Sequence, residues 1–201
     1  AWGQNNYGQL GNGTTNYYSS PIQIGAGSTW TSIACGLSTG GAVKSDGTLW
    51  TWGQNQYGQL GIGSKSPAID TTIYQVGSLT TWKSISMGFW NSFATQTDNS
   101  LYSWGYPGQG VLGLGNTSYY ILTPNQIGAL TNWSSVIPGG DFVMSIKTDG
   151  TLWSWGGGGN GELGLGNRTN YSSPKQVGGL SSWTSIGTSK YSTVGVAKIL
   201  K

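Results

Sequence analysis

Asp46–Gly63 reads DGTLWTWGQNQYGQLGIG, and Asp149–Gly166 reads DGTLWSWGGGGNGELGLG. The two stretches share one frame, and that frame recurs along the chain. The dipeptide Trp-Gly falls at Trp2, Trp52, Trp104 and Trp155, at intervals of 50, 52 and 51 residues. GQLG at Gly8–Gly11 returns at Gly58–Gly61, then as GVLG at Gly110–Gly113 and GELG at Gly161–Gly164. A Gln-Ile/Val-Gly triplet begins at Gln23, Gln75, Gln126 and Gln176, and a Trp follows each at Trp30, Trp82, Trp133 and Trp183. A period of about 50 residues indicates a propeller or a solenoid.

Each unit contains four short β segments. PIQIG (Pro21–Gly25) is a brief edge-like strand. WTSIACG (Trp30–Gly36) alternates large and small residues with period two, as a half-buried strand does. GAVKS (Gly41–Ser45) and TLWTWG (Thr48–Gly53) flank Asp46-Gly47, which predicts a tight hairpin with a type I′ turn and two residues at positive φ. Asp149-Gly150 repeats this signal, and Asp98-Asn99-Ser100 replaces it in the second unit. No segment carries a 3.6-residue period long enough for a helix. Ten of the 11 Trp residues are in phase with the repeat, which assigns them to packing between units, because one unit cannot bury its aromatic face alone.

Composition agrees with this frame. Charged residues make up 7% of the chain against roughly 25% in an average domain, while aromatics reach 12% and Gly numbers 36 of 201. Net charge is +3, but the cations are scattered from Lys44 to Lys201, without the clustered face of a nucleic-acid binder. No apolar run approaches the ~18 residues of a membrane span. The single Cys35 excludes an intrachain disulfide.

Leu-Trp-x-Trp-Gly-x-Asn-x-x-Gly-Gln-Leu-Gly, followed by Pro-x-x-Ile/Val and then Ala-Val/Leu-Lys-x-Asp-Gly, resembles the regulator-of-chromosome-condensation repeat, and Trp52–Gly61 carries the likeness most closely. The resemblance covers the whole chain. It implies an all-β fold: a β-propeller of four-stranded antiparallel blades, usually seven. This chain holds about four, in one repeat domain, 1–201, with units near 1–50, 51–102, 103–153 and 154–201. The fourth unit stops at Ala197–Lys201, where Asp-Gly-Thr-Leu-Trp is due, and the chain opens on Ala1-Trp2-Gly3. The termini are therefore expected to complete one blade together, although a fragment, or a larger ring shared with another chain, fits the same pattern.

Family repeats often carry a His shortly after the second strand. Here that slot holds Thr39, Asn91, Phe142 and Ser192, and the chain contains no His. The nucleotide-exchange activity of the founding member is therefore not carried over. No base stands beside a nucleophile in any recognisable motif. Asp46, Asp98 and Asp149 occupy hairpin turns, and Asp70, Asp141 and Glu162 lie in no motif. One Cys and no His leave no zinc site, and Gly156–Gly164 lacks the Lys-Ser/Thr and helix of a phosphate loop. No cofactor and no catalytic residue is expected.

Function on such a scaffold belongs to loops that break the repeat. One set lies between the Trp-headed strand and the strand after it: Leu37–Thr39, Phe89–Asn91, Gly140–Phe142 and Lys190–Ser192. Trp90 is the one Trp out of phase. Phe89, Trp90, Phe142 and Tyr191, with Asp141 and Lys190, are expected either to form an aromatic binding patch or to plug a central channel. The second set precedes the repeat's Pro and carries Tyr17, Tyr18, Tyr119, Tyr120 and Tyr171, which either pack between blades or touch a partner. The reading is a non-enzymatic binding or assembly module with a protein or glycan partner, capable of self-association, and of the bacterial or phage type found at a cell surface or in a virion. A regulator of a small GTPase and an enzyme-inhibiting propeller are the alternatives.

Overall fold

The computed structural model describes residues 1–27, 29–116 and 118–198. It is all-β apart from one short 3₁₀ turn at Gly108–Gly110. Among the described residues no helix is long and apolar enough to cross a membrane.

Three blades are complete. Blade 1 is β1 (Trp30–Cys35), β2 (Thr39–Lys44), β3 (Leu49–Gln54) and β4 (Ile69–Gln75). Blade 2 is β5 (Trp82–Met87), β6 (Asn91–Gln96), β7 (Leu101–Gly105) and β8 (Ile121–Gln126). Blade 3 is β9 (Trp133–Pro138), β10 (Phe142–Lys147), β11 (Leu152–Gly156) and β12 (Tyr171–Gln176). Each is an antiparallel sheet with neighbours in chain order. β13 (Trp183–Thr188) and β14 (Thr193–Ala197) form a two-stranded sheet.

The segments due to continue that hairpin lie at the other end of the chain, as the division of the fourth unit anticipated, and they meet each other through one isolated bridge. Gly3 donates its N–H to the Tyr18 carbonyl at 2.7 Å, Tyr18 donates back at 3.1 Å, and Ile22 N–H reaches the Ala1 carbonyl at 2.9 Å. The two halves are nevertheless not joined into one sheet. Among the described residues β14 pairs only with β13. The expected fourth sheet is thus two separate parts. Of the terminal segment Ala197–Lys201, Ile199–Lys201 lie outside the described residues. The first copy of the Pro segment, Pro21–Ile24, also forms no regular strand.

The hairpins differ from the expected type I′ form. Gly47 donates to the Lys44 carbonyl at 2.9 Å and Lys44 donates to the Thr48 carbonyl at 3.0 Å, which leaves a three-residue loop with Gly47 at φ +76°. Asp46 is not at positive φ, because its carboxylate builds the turn another way. Asp46 Oδ1 accepts the Thr48 N–H at 3.0 Å and the Thr48 hydroxyl at 2.6 Å, and Trp50 Nε1 donates to that hydroxyl at 2.8 Å. Asp149–Thr151–Trp153 repeats the arrangement, and Asp98–Ser100 repeats its first two bonds. A side chain that bonds the backbone two residues ahead stabilises a turn without a second left-handed residue.

The core consists of the seams between consecutive blades. Val43, Leu49 and Val76 of blade 1 meet Trp82, Ile85, Met87 and Trp104 of blade 2. Phe93 and Leu101 of blade 2 meet Trp133, Val136, Val143 and Trp155 of blade 3. Met144, Ile146 and Leu152 of blade 3 pack with Trp183 and Ile186 of the last hairpin. Polar bonds repeat across the same seams. Trp52 Nε1 donates to the Gln9 carbonyl at 2.9 Å, Trp104 to Gln59 at 2.9 Å and Trp155 to Val111 at 2.8 Å. Each indole also lies over the closing Gly of the previous unit's GQLG turn. A Cβ on Gly61, which sits at φ +72°, would come 2.7 Å from Trp104 Nε1, so the repeat requires Gly there both for φ and for space.

Candidate binding face

The loops between the first two strands of each blade and those between the last two emerge at the same ends of the sheets, and the structure brings parts of both predicted sets together. Trp90, in the β5–β6 loop, packs at 5.6 Å from Tyr57 and at 5.7 Å, edge-on, from Tyr106. Tyr57 and Tyr106 are 5.4 Å apart, and Tyr120 lies 5.8 Å from the first and 6.1 Å from the second. Phe89 stands edge-on to Trp90 at 6.3 Å. Lys65 Nζ lies 4.3 Å from the Tyr120 ring. Phe89, Trp90, Tyr57 and Tyr106 are half-buried and Tyr120 is exposed, so the cluster is a surface feature and not a core.

The face continues toward the last hairpin. Lys190 Nζ lies 4.9 Å from the Tyr191 ring and 6.0 Å from Phe89. The Lys190 ammonium is held above its ordinary pKa, first by its bond to Tyr191 and in smaller part by the Asp141 carboxylate. Asp141 is half-buried, and its backbone carbonyl accepts the Gly157 N–H at 2.8 Å.

Several predicted residues are elsewhere. Phe142 is not on the face: its side chain is fully buried, with Met144 and Leu163 in the core of blade 3. The position opens β10, and the strand's alternation turns that side chain inward. Tyr171 is half-buried against the same core, within 3.2 Å of Asn167 Nδ2 through its hydroxyl. Tyr18 is engaged in the Gly3 bridge, whereas Tyr17 and Tyr119 are exposed and in none of these clusters.

Sequence reasoning missed Tyr57, Tyr106 and Lys65. Tyr57 is in phase with Tyr7 and reads as part of a repeated turn. Tyr106-Pro107 stands where the second unit has Gln54-Asn55, and that loss was the available signal. Buried Asn55 clamps its loop by accepting the Leu60 N–H at 3.2 Å and donating to the Ser64 carbonyl at 3.0 Å. Pro107 has no such side chain, and the loop becomes the 3₁₀ turn with Tyr106 swung onto the face.

Asp70 is engaged within its own strand, β4. Burial pushes its pKa up, but bonds from the Tyr74 hydroxyl and from Thr72 outweigh this and hold the carboxyl below its usual range. Thr72 N–H donates to Asp70 Oδ1 at 2.9 Å.

A chain of split and complete four-stranded blades, with a recurring Trp-Gly seam, is a β-propeller of repeat type. The Regulator of chromosome condensation (RCC1) repeat matches residues 1–43, 46–94, 98–146 and 149–196, and the chain belongs to that family. It is 33% identical over 199 residues to the Ultraviolet-B receptor UVR8 of Arabidopsis thaliana, covering 96% of this chain and 44% of that protein. Human WBSCR16 superposes with a TM-score of 0.87 at 22% identity, over 98% of this chain and 52% of the other. Prp20p of Saccharomyces cerevisiae, whose crystal structure is described with its binding properties to Gsp1p and histones, superposes at 0.80 with 20% identity, over 98% and 51%. The chain thus spans about half the length of these proteins, or less. Its four units follow the curvature of roughly half of such a structure.

Proposed function

We propose that this chain is a non-enzymatic, protein-binding propeller module whose partner docks on the aromatic face around Trp90. One observation carries the reading: the Trp that breaks the repeat is the centre of a solvent-facing group of five rings drawn from three loops. The buried seams are already filled by the in-phase indoles, so Trp90, which meets Tyr57 of the neighbouring blade's loop only at the half-buried surface, is not needed to fill them. Aromatic rings lose little side-chain entropy on binding and dominate interface energetics. Lys65 and Lys190 at its margins favour a partner with carboxylates at the rim of an apolar centre. The propeller relatives whose described partners are proteins lend the coarser part of this reading its support.

The test is capture of partners from source extract on immobilised wild-type chain, Trp90→Ala and Leu37→Ala, with glycan-array binding in parallel. Leu37 is the exposed counterpart of Phe89 in blade 1. Trp90→Ala is expected to weaken capture more than about tenfold while Leu37→Ala leaves it intact. Equal capture by all three, with circular dichroism unchanged, would remove the face from the function. Binding on the array alone would make the partner a glycan.

A further inference from the structure

Each complete blade ends in an outer strand, and one of these departs from the repeat twice at the same place. The inner strands β1, β5 and β9 pack on one another, and β4, β8 and β12 lie at the opposite edges of their sheets. The register Gly53↔Asp70, Gly105↔Ile121 and Gly156↔Tyr171 makes Asp70, Ile121 and Tyr171 equivalent, and the bridge Gly3↔Tyr18 adds Tyr18. Three residues further on stand Pro124, Pro174 and Pro21, but in β4 the position is Ile73. In β4, β8 and β12 it falls in the bulge, where no residue across the sheet pairs with it. Pro offers no N–H there, and Pro on an edge strand blocks further pairing. Ile73 restores the N–H.

The acceptor two residues before it is open as well. In blade 2 the Leu122 carbonyl takes the Gly63 N–H at 2.8 Å, and in blade 3 the Ser172 carbonyl takes the Gly115 N–H at 2.7 Å. The equivalent carbonyl in β4 belongs to Thr71, and among the described residues Gly13, the counterpart of Gly63, makes no such bond. The loop that carries Gly13 is drawn toward Asn5, whose Nδ2 donates to Asn12 Oδ1 and to the Thr14 and Asn16 carbonyls. Asn55 ties its own loop only through the Ser64 carbonyl. The turn before that loop is nevertheless seated on blade 1, because a Cβ on Gly8 would come 2.5 Å from the Asp70 carbonyl. The opening is thus local to Thr71–Ile73, in a strand with its neighbours in place.

β4 is also the longest of the three outer strands, seven residues against six, because Ile69 pairs with Gln54. Ile69 is 50% exposed, and Thr72 and Gln75 are exposed too. Its one charged residue, Asp70, is turned back to the Thr72 amide and the Tyr74 hydroxyl, so no free charge guards the edge.

We propose that β4 receives an extended strand of a partner protein, which continues the blade 1 sheet through the Ile73 N–H and the Thr71 carbonyl. An N–H and a carbonyl two residues apart are the pair that a neighbouring strand's main chain takes up. Such pairing draws affinity from the main chain and selectivity from alternate side chains. Ile69 and the β-branched run Thr71–Ile73 favour an incoming strand with β-branched or aromatic residues opposite them. The edge includes none of the five rings around Trp90, so either proposal can fail without the other.

The probe is a set of random peptides of about the length of β4, displayed on phage and selected on the immobilised 201-residue chain. Selected peptides should bind wild type more than about tenfold tighter than Ile73→Pro. That variant writes into β4 the residue its three counterparts carry, so its circular dichroism should be unchanged. Bound peptide should slow hydrogen exchange at the Ile73 amide and leave the Trp90 loop as it was, and N-methylation of alternate peptide amides should abolish binding. These last two readouts decide the matter even if Ile73→Pro does not fold. Equal binding by Ile73→Pro, protection confined to the Trp90 loop, tolerance of N-methylation, or failure to select any peptide overturns the inference. A two-chain mass in light scattering that Ile73→Pro abolishes would give the edge to a second copy and overturn the partner strand.

Discussion

Ile33 and Ile85 hold the same place in two copies of one strand, and one stands in water while the other is in the core. The strands have the same partners within their own sheets, with the same register shift after the leading Trp. What differs is that β2 of blade 1 covers Ile85, whereas none of the described sheets covers Ile33. In a repeat protein stability is a sum of units and nearest-neighbour seams, so equal residues contribute unequally at the ends and in the middle.

The sharpest way to break this comparison is at the Trp-Gly indoles. Trp104→Ala, which empties a fully buried seam and loses the Gln59 bond, should cost about 3–5 kcal/mol in urea unfolding, whereas Trp2→Ala in dilute solution should cost under about 0.5 kcal/mol. Equal losses would mean that the ends are packed after all. Ile85→Ala against Ile33→Ala is the next test, with about 2–5 kcal/mol expected for the buried residue and almost none for the exposed one.

Smaller effects separate backbone from packing. Gly13 and Gly61 both have positive φ, +77° and +72°, but a Cβ on Gly13 meets nothing within 4 Å. Gly13→Ala should cost only the left-handed penalty, about 1–2 kcal/mol, and Gly61→Ala should cost more because Trp104 must also move. A thermal melt of the pair decides whether the turn or the indole sets the requirement.

The smallest expected effect is the pH response of the hairpins. The carboxyls of Asp46, Asp98 and Asp149 are held below the usual range, first by the hydroxyl two residues ahead and then by its amide. A carboxyl with a depressed folded pKa contributes stability that is present above its unfolded pKa and lost as pH falls through the folded one. The melting temperature should therefore decline below about pH 4, and Asp→Asn at all three positions should flatten that decline. An unchanged acid profile in the triple variant would remove the turn carboxylates as the cause.

Much of the fold was legible because the repeat writes its seams openly: the phased Trp, the GQLG turns and the strand periods each recur at fixed distance. Two local expectations failed for physical reasons. Asp46 forms its turn through its own carboxylate rather than through a second left-handed residue, and Phe142 turns inward because the strand begins at that residue. Of the candidate face, Trp90 was visible as the residue out of phase. Tyr57 was hidden by being in phase, and Tyr106 acquires its place only when Pro107 displaces the Asn clamp.

By itself the sequence determined the architecture: a period near 50 residues, with aromatic residues at fixed phase, can bury those rings only against copies of itself. Whether a given copy has a neighbour, and which loop rings converge, were decided by the tertiary structure, because both depend on distances between blades that no local pattern encodes. Ile33 and Val194 read as ordinary core residues in the repeat pattern, and only the structure shows them exposed.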